Sequence, residues 1–417
     1  MTLPNVRHMK TQNIIIRMLG AQVLTLLGFA SYAVTLNTMQ REWNLSNFQS
    51  GFIASIFFLG YMGVVSFATV LTDRLDARRI YLVGVSIEFV GLIGLALFAN
   101  GFYSALFFMF MVGAGVAGAY MPGLKIITDR VKTGELTRYI SFYTAFFGVG
   151  VGLSYLISGL ILQILNWHYV FGIIALGPVL AGCIVFFCVQ PLADKKWHGE
   201  INLQWGDFFP WSRWKLVLRN KDSSTYIFGY VAHSLELFAS RSWLVAFFII
   251  CASYSAEPFF LSGTESASLI NFFGVPASIL GNEIAIRLGR KKWIYIVMSV
   301  SAIFGVFLSL SIGHAWWLIM ALAIGHSIFI MADSATLTAG LVTSTSDQLK
   351  GAAMGLHSML GFGGGFLGPS IFGFILDLAG GQKQAHAWVW AYISIVVWGC
   401  IFVIYQLLNK NRSSERS

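Results

Sequence analysis

Charge is what this sequence has least of. Asp, Glu, Lys and Arg together make up 11% of its 417 residues, against roughly a quarter in a soluble globular domain. That leaves too little polar surface to coat a water-soluble body of 46.0 kDa. The shortage excludes a cytosolic enzyme, and equally a disordered chain, which needs charge and little else. Cysteine is scarce as well. Cys183, Cys188, Cys251 and Cys400 all lie inside apolar stretches, where a thiol reads as a small buried hydrophobe. Neither a disulfide framework nor a metal centre is expected. There is no metal-ligand spacing, no nucleophile with its base, and no phosphate-cradling loop: the run Gly361–Gly365 sits in an apolar helix and follows no strand. No cofactor is expected and no enzyme. The first apolar run is too long for the core of a signal peptide, and no small-residue cleavage site follows it.

What is present is long apolar sequence. Residues of the apolar class reach 57%, mean hydropathy is +0.72, and there are 36 Phe. A membrane-crossing helix needs about 20 mainly apolar residues. The chain offers twelve such runs, at approximately 14–37, 50–71, 80–98, 102–127, 138–163, 168–190, 225–251, 264–286, 292–311, 315–341, 351–377 and 386–408. The strands of a membrane barrel would be half as long and alternate in polarity. These runs do neither, so an all-α membrane protein with the lipid bilayer as its main solvent is predicted.

Basic residues set the orientation, because cytoplasmic loops retain Lys and Arg. With the amino terminus inside, the inner segments collect 23 of the 27 basic residues, among them Arg7, Lys10, Arg17, Arg74, Arg78, Arg79, Arg130, Lys132, Lys195, Lys196, Arg287, Arg290 and Lys350. The outer loops hold Arg41 and Lys383; Lys125 and Arg241 fall within spans. Both termini are therefore expected on the cytoplasmic side of the cytoplasmic membrane. The net charge of +9 reflects this distribution and forms no patch for nucleic acid.

The only long connection, 191–224, divides the chain into an amino-terminal bundle of six spans (1–190), a cytoplasmic linker, and a carboxy-terminal bundle of six (225–417). A weak repeat crosses it. The turn after span two reads Asp73-Arg-Leu-Asp-Ala-Arg-Arg79, and the turn after span eight reads Ile286-Arg-Leu-Gly-Arg-Lys-Lys292, at an offset of 213. Gly148 and Gly152 of span five map at the same offset onto Gly361 and Gly365 of span eleven. Duplicated halves with a site between them recur among secondary transporters.

These motifs resemble those of the major facilitator superfamily. Its signature between spans two and three is approximately G-x-L-x-D-R-x-G-R-R. Leu71, Asp73, Arg74, Arg78 and Arg79 match it, while Thr69 and Asp76 stand where glycines belong. The second copy keeps Arg287, Gly289, Arg290 and Lys291. Trp167-His-Tyr-Val-Phe171 is similar to the family's W-R-x-x-F, with His168 for Arg, and the span-four Arg of many members is Met109 here. The span-five antiporter signature is present only in Gly148 and Gly152. Met121-Pro-Gly-Leu-Lys125 is similar, more weakly, to the nitrate/nitrite and cyanate porter branch. The resemblance implies a monomeric twelve-helix transporter working by alternating access, with spans one, four, seven and ten lining the cavity. It also implies that Asp73, Arg74, Arg78, Arg79, Arg287 and Arg290 form conformational latches at the inner helix ends.

A charge inside the bilayer is costly and marks function by default. Span seven carries His233, Glu236 and Arg241 in one polar sector, in which His233 and Glu236, three apart, are able to touch. Span ten carries His326 and Asp333 on one face, with a pair between Asp333 and His357 as a structural alternative. In span one, Gln22, Thr25, Phe29 and Tyr32 share a face, and either bind solute or bond to neighbouring helices. Arg241, Glu236, His233, Gln22, Thr25 and Tyr32 are the expected substrate residues, and Asp333, Glu236 and His326 the expected proton-coupling groups. The cation Arg241 favours a small anionic or zwitterionic solute, carried on a proton gradient because no ATP site exists. Export of drugs or a metabolite is the alternative. Glu88, in the middle of span three, fits neither role.

Overall fold

The computed structural model describes residues 11–131, 136–192 and 205–414. Arg7, Lys10, Lys132, Lys195, Lys196 and Arg416 lie outside them, as do most of the chain termini and part of the linker. Among the described residues there is no strand, and twelve helical spans are long and apolar enough to cross a membrane: Asn13–Glu42, Asn47–Arg74, Ala77–Phe98, Phe102–Arg130, Arg138–Ile164, Trp167–Cys188, Lys221–Tyr254, Gly263–Leu288, Arg290–Leu310, Trp316–Ser344, Asp347–Leu378 and Ala385–Asn409. All twelve expected runs are there.

Local chemistry explains the ends. Spans two and eight each open with a capping box: Ser46 with Gln49, and Ser262 with Glu265. Each satisfies two otherwise orphaned N–H groups of a first turn. Asn220 accepts from Asp222 N and Ser223 N, at 3.0 and 3.1 Å, and starts span seven at Lys221. The linker is therefore shorter than 191–224, and it contains the helix Trp211–Arg219.

Three expected spans are not single helices. Span one is interrupted between Leu26 and Ser31, span six at Ala175, and span ten between Met331 and Ser334. In span one, Ser154 of span five repairs the gap: its hydroxyl donates to Leu27 O at 2.5 Å and accepts from Ala30 N at 2.9 Å. Irregular backbone at membrane depth survives only with such partners.

Helices in lipid approach through small residues. A Cβ on Gly113 would strike the carbonyl of Phe57, and one on Gly84 the backbone of Gly118, so spans two, three and four pack backbone to backbone. The same contact joins the halves, where Gly51 meets the carbonyl of Pro369 and Gly373 that of Asn47.

The apolar core is asymmetric. One continuous cluster runs across both bundles toward the predicted outer side, holding Tyr32, Phe58, Phe238, Trp243 and Phe372. Toward the predicted inner side each bundle keeps a cluster of its own, around Tyr81 and Tyr143 in one and around Tyr226 and Leu337 in the other.

Candidate functional site

Span seven runs through the middle of the carboxy-terminal half, and His233, Glu236 and Arg241 are all buried in it. Span ten crosses it in the opposite chain direction. A step outward along span seven is thus a step back along span ten, and the acid and histidine of each helix meet their opposites on the other. His233 Nδ1 lies 2.7 Å from Asp333 Oδ1, and His326 Nε2 lies 3.0 Å from Glu236 Oε1. Ser301 of span nine also donates to Glu236 Oε1. His233 and Glu236 therefore pair across the helix interface and not with each other. Asp333 sits in the break of span ten, between Met331 and Ser334. His357 goes elsewhere: its ring stacks on Tyr230 at 3.9 Å and its Nε2 is 3.3 Å from Thr338 Oγ1.

Arg241 is different from its neighbours. Its guanidinium is 3.7 Å from Met331 Sδ, and among the described residues no carboxylate lies within ion-pair distance. Its backbone carbonyl accepts from Tyr155 Oη at 2.6 Å, a bond between the two halves. Its side chain borders two narrow cavities. One lies within the carboxy-terminal half, with Ser240, Asn271, His326 and Ser327 as its polar wall. The other lies between the halves and is aromatic, lined by Phe29, Tyr32, Phe57, Phe58, Tyr155 and Phe238. Met109 also lines the second cavity, and Arg241 is the only Lys or Arg among the residues lining either.

The span-one residues divide. Tyr32 borders the aromatic cavity, its hydroxyl donating to Ser50 O at 3.0 Å. Gln22 donates to Tyr143 O at 2.8 Å and Thr25 to Gln22 O at 2.9 Å, and neither lines a cavity. The Gln22 bond reaches span five and the Thr25 bond stays within span one, while Gln22 Oε1 has no partner. Sequence reasoning named Phe29 and Tyr32 but missed Tyr155, Ser301 and the rest of the aromatic wall, Phe57, Phe58 and Phe238, which carry no charge to distinguish them from ordinary packing.

The expected latches show contacts within each half. Asp73 Oδ1 is 3.5 Å from Lys125 Nζ, which also pairs with Asp129 at 3.1 Å. Arg78 donates to Phe186 O at 2.6 Å and lies over the Phe186 ring. Arg290 donates to Thr343 Oγ1 at 3.1 Å. Arg74, Arg79 and Arg287 lie at the same helix ends, on the predicted inner side. A further contact involves a residue the family pattern would make glycine: Asp76 Oδ1 is 3.0 Å from Arg130 Nη2 and accepts from Arg78 N, while its Oδ2 accepts from Leu192 N. Burial works against the Asp76 charge, but the Arg130 guanidinium and the two backbone donors outweigh it, holding the carboxyl below its ordinary range.

At the predicted outer end the halves are tied together. Asp377, at the end of span eleven, accepts from Asn47 N at 3.0 Å, Asn47 Nδ2 at 2.7 Å and Phe48 N at 2.8 Å. A carboxylate thus caps the start of span two from the opposite bundle. Ser370 Oγ to Ser55 Oγ, at 2.7 Å, and Gln382 to Gln40, at 2.5 Å, extend the seam.

Twelve membrane-length helices thus hold a cluster of charged side chains buried in the carboxy-terminal half. The Major Facilitator Superfamily matches residues 18–267, and the chain belongs to that family. A putative tartrate transporter of Agrobacterium vitis is 24% identical over 383 residues, 85% of this chain and 83% of its own length. A probable sphingolipid transporter, spinster homolog 1 of Arabidopsis thaliana, is 28% identical over 158 residues, and the niacin transporter NiaP of Acinetobacter baylyi is 26% identical over 139. These two matches cover only 38% and 33% of this chain, and 32% and 31% of those proteins. In fold, the chain is similar to a bacterial homolog of the human lysosomal transporter Spinster, in an inward-facing and occupied conformation, with a TM-score of 0.74 at 15% identity over 96% of this chain and 97% of that one. The likeness to the nitrate/nitrite and cyanate porters gains no support from these relatives.

Proposed function

We propose that this chain is a secondary transporter for a small organic anion, held by Arg241 and moved by alternating access coupled to protons. The observation that carries this reading is a buried guanidinium with no carboxylate partner, at the wall shared by two cavities. An uncompensated buried charge is costly, and an anionic solute supplies what is missing through a bidentate pair. The aromatic wall favours a carboxylate with an apolar body. Tartrate and niacin, named for two of the relatives, both bear a carboxylate.

The two histidine–carboxylate pairs are the proton-coupling groups in this reading. Both pairs cross the interface of spans seven and ten, so gain or loss of a proton in either alters how those helices hold together. The closed seam at Asp377 and the separate inner clusters support a state sealed on the outer side and divided on the inner one. The expectation of both termini in the cytoplasm belongs to this reading.

A thermal-shift screen of the purified protein with small carboxylates tests it, because a ligand of the folded state raises its stability by mass action. A stabilising carboxylate whose effect disappears in Arg241→Ala supports the assignment, and undiminished stabilisation in that variant overturns it. In proteoliposomes, accumulation indifferent to an imposed pH gradient removes the coupling. The aromatic cavity also suits an amphipathic solute leaving the cell. Drug sensitivity of a deletion strain, with no uptake defect, would favour export.

A further inference from the structure

Glu88 has no part in the site above. It lies in span three with no exposed surface, and neither carboxyl oxygen has a hydrogen-bond partner. Two neighbours press on it. Spans three and four come to backbone contact there, since a Cβ on Gly115 would strike Glu88 N. On another side is the break in span one: a Cβ on Gly28 would lie 3.6 Å from Glu88 Oε1 and 3.3 Å from Leu92. Two more buried polar atoms in these helices, Tyr81 Oη and Gln22 Oε1, are also without partners. Tyr81 is seven residues before Glu88, on the same helix face.

The surroundings supply no charge. Residues 22–31 of span one and 108–118 of span four contain no ionisable side chain. Span six brings Cys183, and His168 and Tyr169 at its outer end. Span three itself has Tyr81, with Arg78 and Arg79 at its inner end, where span two ends in Asp73 and Arg74. A carboxylate in this place would have neither cation nor donor, so the closed arrangement holds the neutral acid. Beside it is the irregular stretch of span one, Leu27–Ala30, where Leu27 N donates to Leu24 O, Phe29 N to Leu26 O and Ala30 N to Ser154 Oγ, so that release of Ala30 N from Ser154 would offer a carboxylate a donor.

We propose that Glu88 is a proton-binding site in the amino-terminal half, separate from the histidine–carboxylate pairs, which takes up and releases its proton through the break in span one. Its use in a transport cycle rests on the reading above; the site itself does not. Ser154 governs access, since it closes the gap between Leu27 and Ala30.

Infrared difference spectra of the purified full-length protein against Glu88→Gln test this without solute or gradient. Gln replaces the neutral acid in shape, and Glu88→Asp serves should Gln fail to fold, displacing the band where Gln removes it. The expected result is a carbonyl band of a protonated acid that is lost in Glu88→Gln, kept in Glu236→Gln, and reversibly abolished as pH rises. Ser154→Ala should move its midpoint to lower pH by easing ionisation. Absence of the band, or a band of constant intensity at every pH where the protein stays folded, overturns the proposal. An unmoved midpoint in Ser154→Ala overturns the route through the break. Failure of Arg241 to bind carboxylates would leave this result untouched, so the two readings fall separately.

Discussion

His233 and Asp333 meet at 2.7 Å, head to head across two helices that also bring Glu236 to His326. The exchange is reciprocal, with each helix contributing one acid and one histidine. A change in either pair therefore acts on the interface and not on one helix alone.

The isosteric and truncating variants of these acids should separate. Asp333→Asn and Glu236→Gln keep a polar partner for each histidine and are expected to fold, to retain solute counterflow, and to lose accumulation against a gradient. Asp333→Ala leaves His233 buried and unpaired, and breaking a buried pair costs about 3–5 kcal/mol. A lowered melting temperature in the Ala variant beside a near-normal one in the Asn variant is the outcome to measure. Accumulation retained by both isosteric variants would sink the coupling role.

Arg241→Lys should not rescue Arg241→Ala. The ammonium keeps the charge but loses the planar fork that grips a carboxylate at two points. Hydrogen bonds to charged groups contribute about 1.5–3 kcal/mol, so carboxylate affinity should fall about ten- to a hundredfold in either variant. Calorimetric titration with the stabilising carboxylate measures it.

Two glycines in similar contacts should behave differently. Gly113→Leu pushes a side chain into Phe57 inside one bundle, and is expected to lower stability and expression. Gly51→Leu pushes into Pro369 across the halves, and should fold but fail to seal. In a background freed of native cysteines, a reporter Ser55→Cys, buried beside Ser370, should be labelled from the outer side faster in Gly51→Leu. Asp377→Ala, which uncaps span two, should have the same effect. Unchanged labelling in both would exclude a seam that opens.

Asp76 gives a pH dependence with a definite sign. Its carboxyl is held below the ordinary range, so it contributes stability above the unfolded-state value of about 3.9 and loses it as pH falls through the depressed folded value. The melting temperature of wild type should exceed that of Asp76→Asn by a constant margin across neutral pH. The margin should close only below about pH 4. A margin that already shrinks between neutrality and pH 5 would contradict the pairing with Arg130.

Much of the fold was legible because lipid allows few solutions. Twelve apolar runs became twelve spans, and the offset between Gly148 and Gly361 pointed to a duplicated architecture. The ionisable residues of spans seven and ten stood out for the same reason. Their pairing did not, because sequence spacing describes one helix while His233 and Glu236 find their partners on another. The breaks in spans one and ten are carried by Leu27–Ala30 and Ala332–Asp333, stretches without proline, and depend on tertiary partners such as Ser154. Gln22 and Thr25 are open to two readings in the sequence, solute ligands or bonds to neighbouring helices, and the structure shows Gln22 Nε2 and Thr25 Oγ1 donating to backbone carbonyls. Asp76 and Asp377 sit at helix ends, where a carboxylate reads as ordinary solvation until the opposing helix is known.

The seam between spans two and eleven is made where Gly51 faces Pro369 and Gly373 faces Asn47, main chain on main chain. Parting it exposes backbone where the glycines offer no side chain, and frees Asp377, Asn47, Ser55 and Ser370 from the bonds they make across it. Whatever pries them apart must keep holding them. If the chain works by alternating access as proposed, the sealed arrangement is its resting posture, and opening at the predicted outer end is the effortful one.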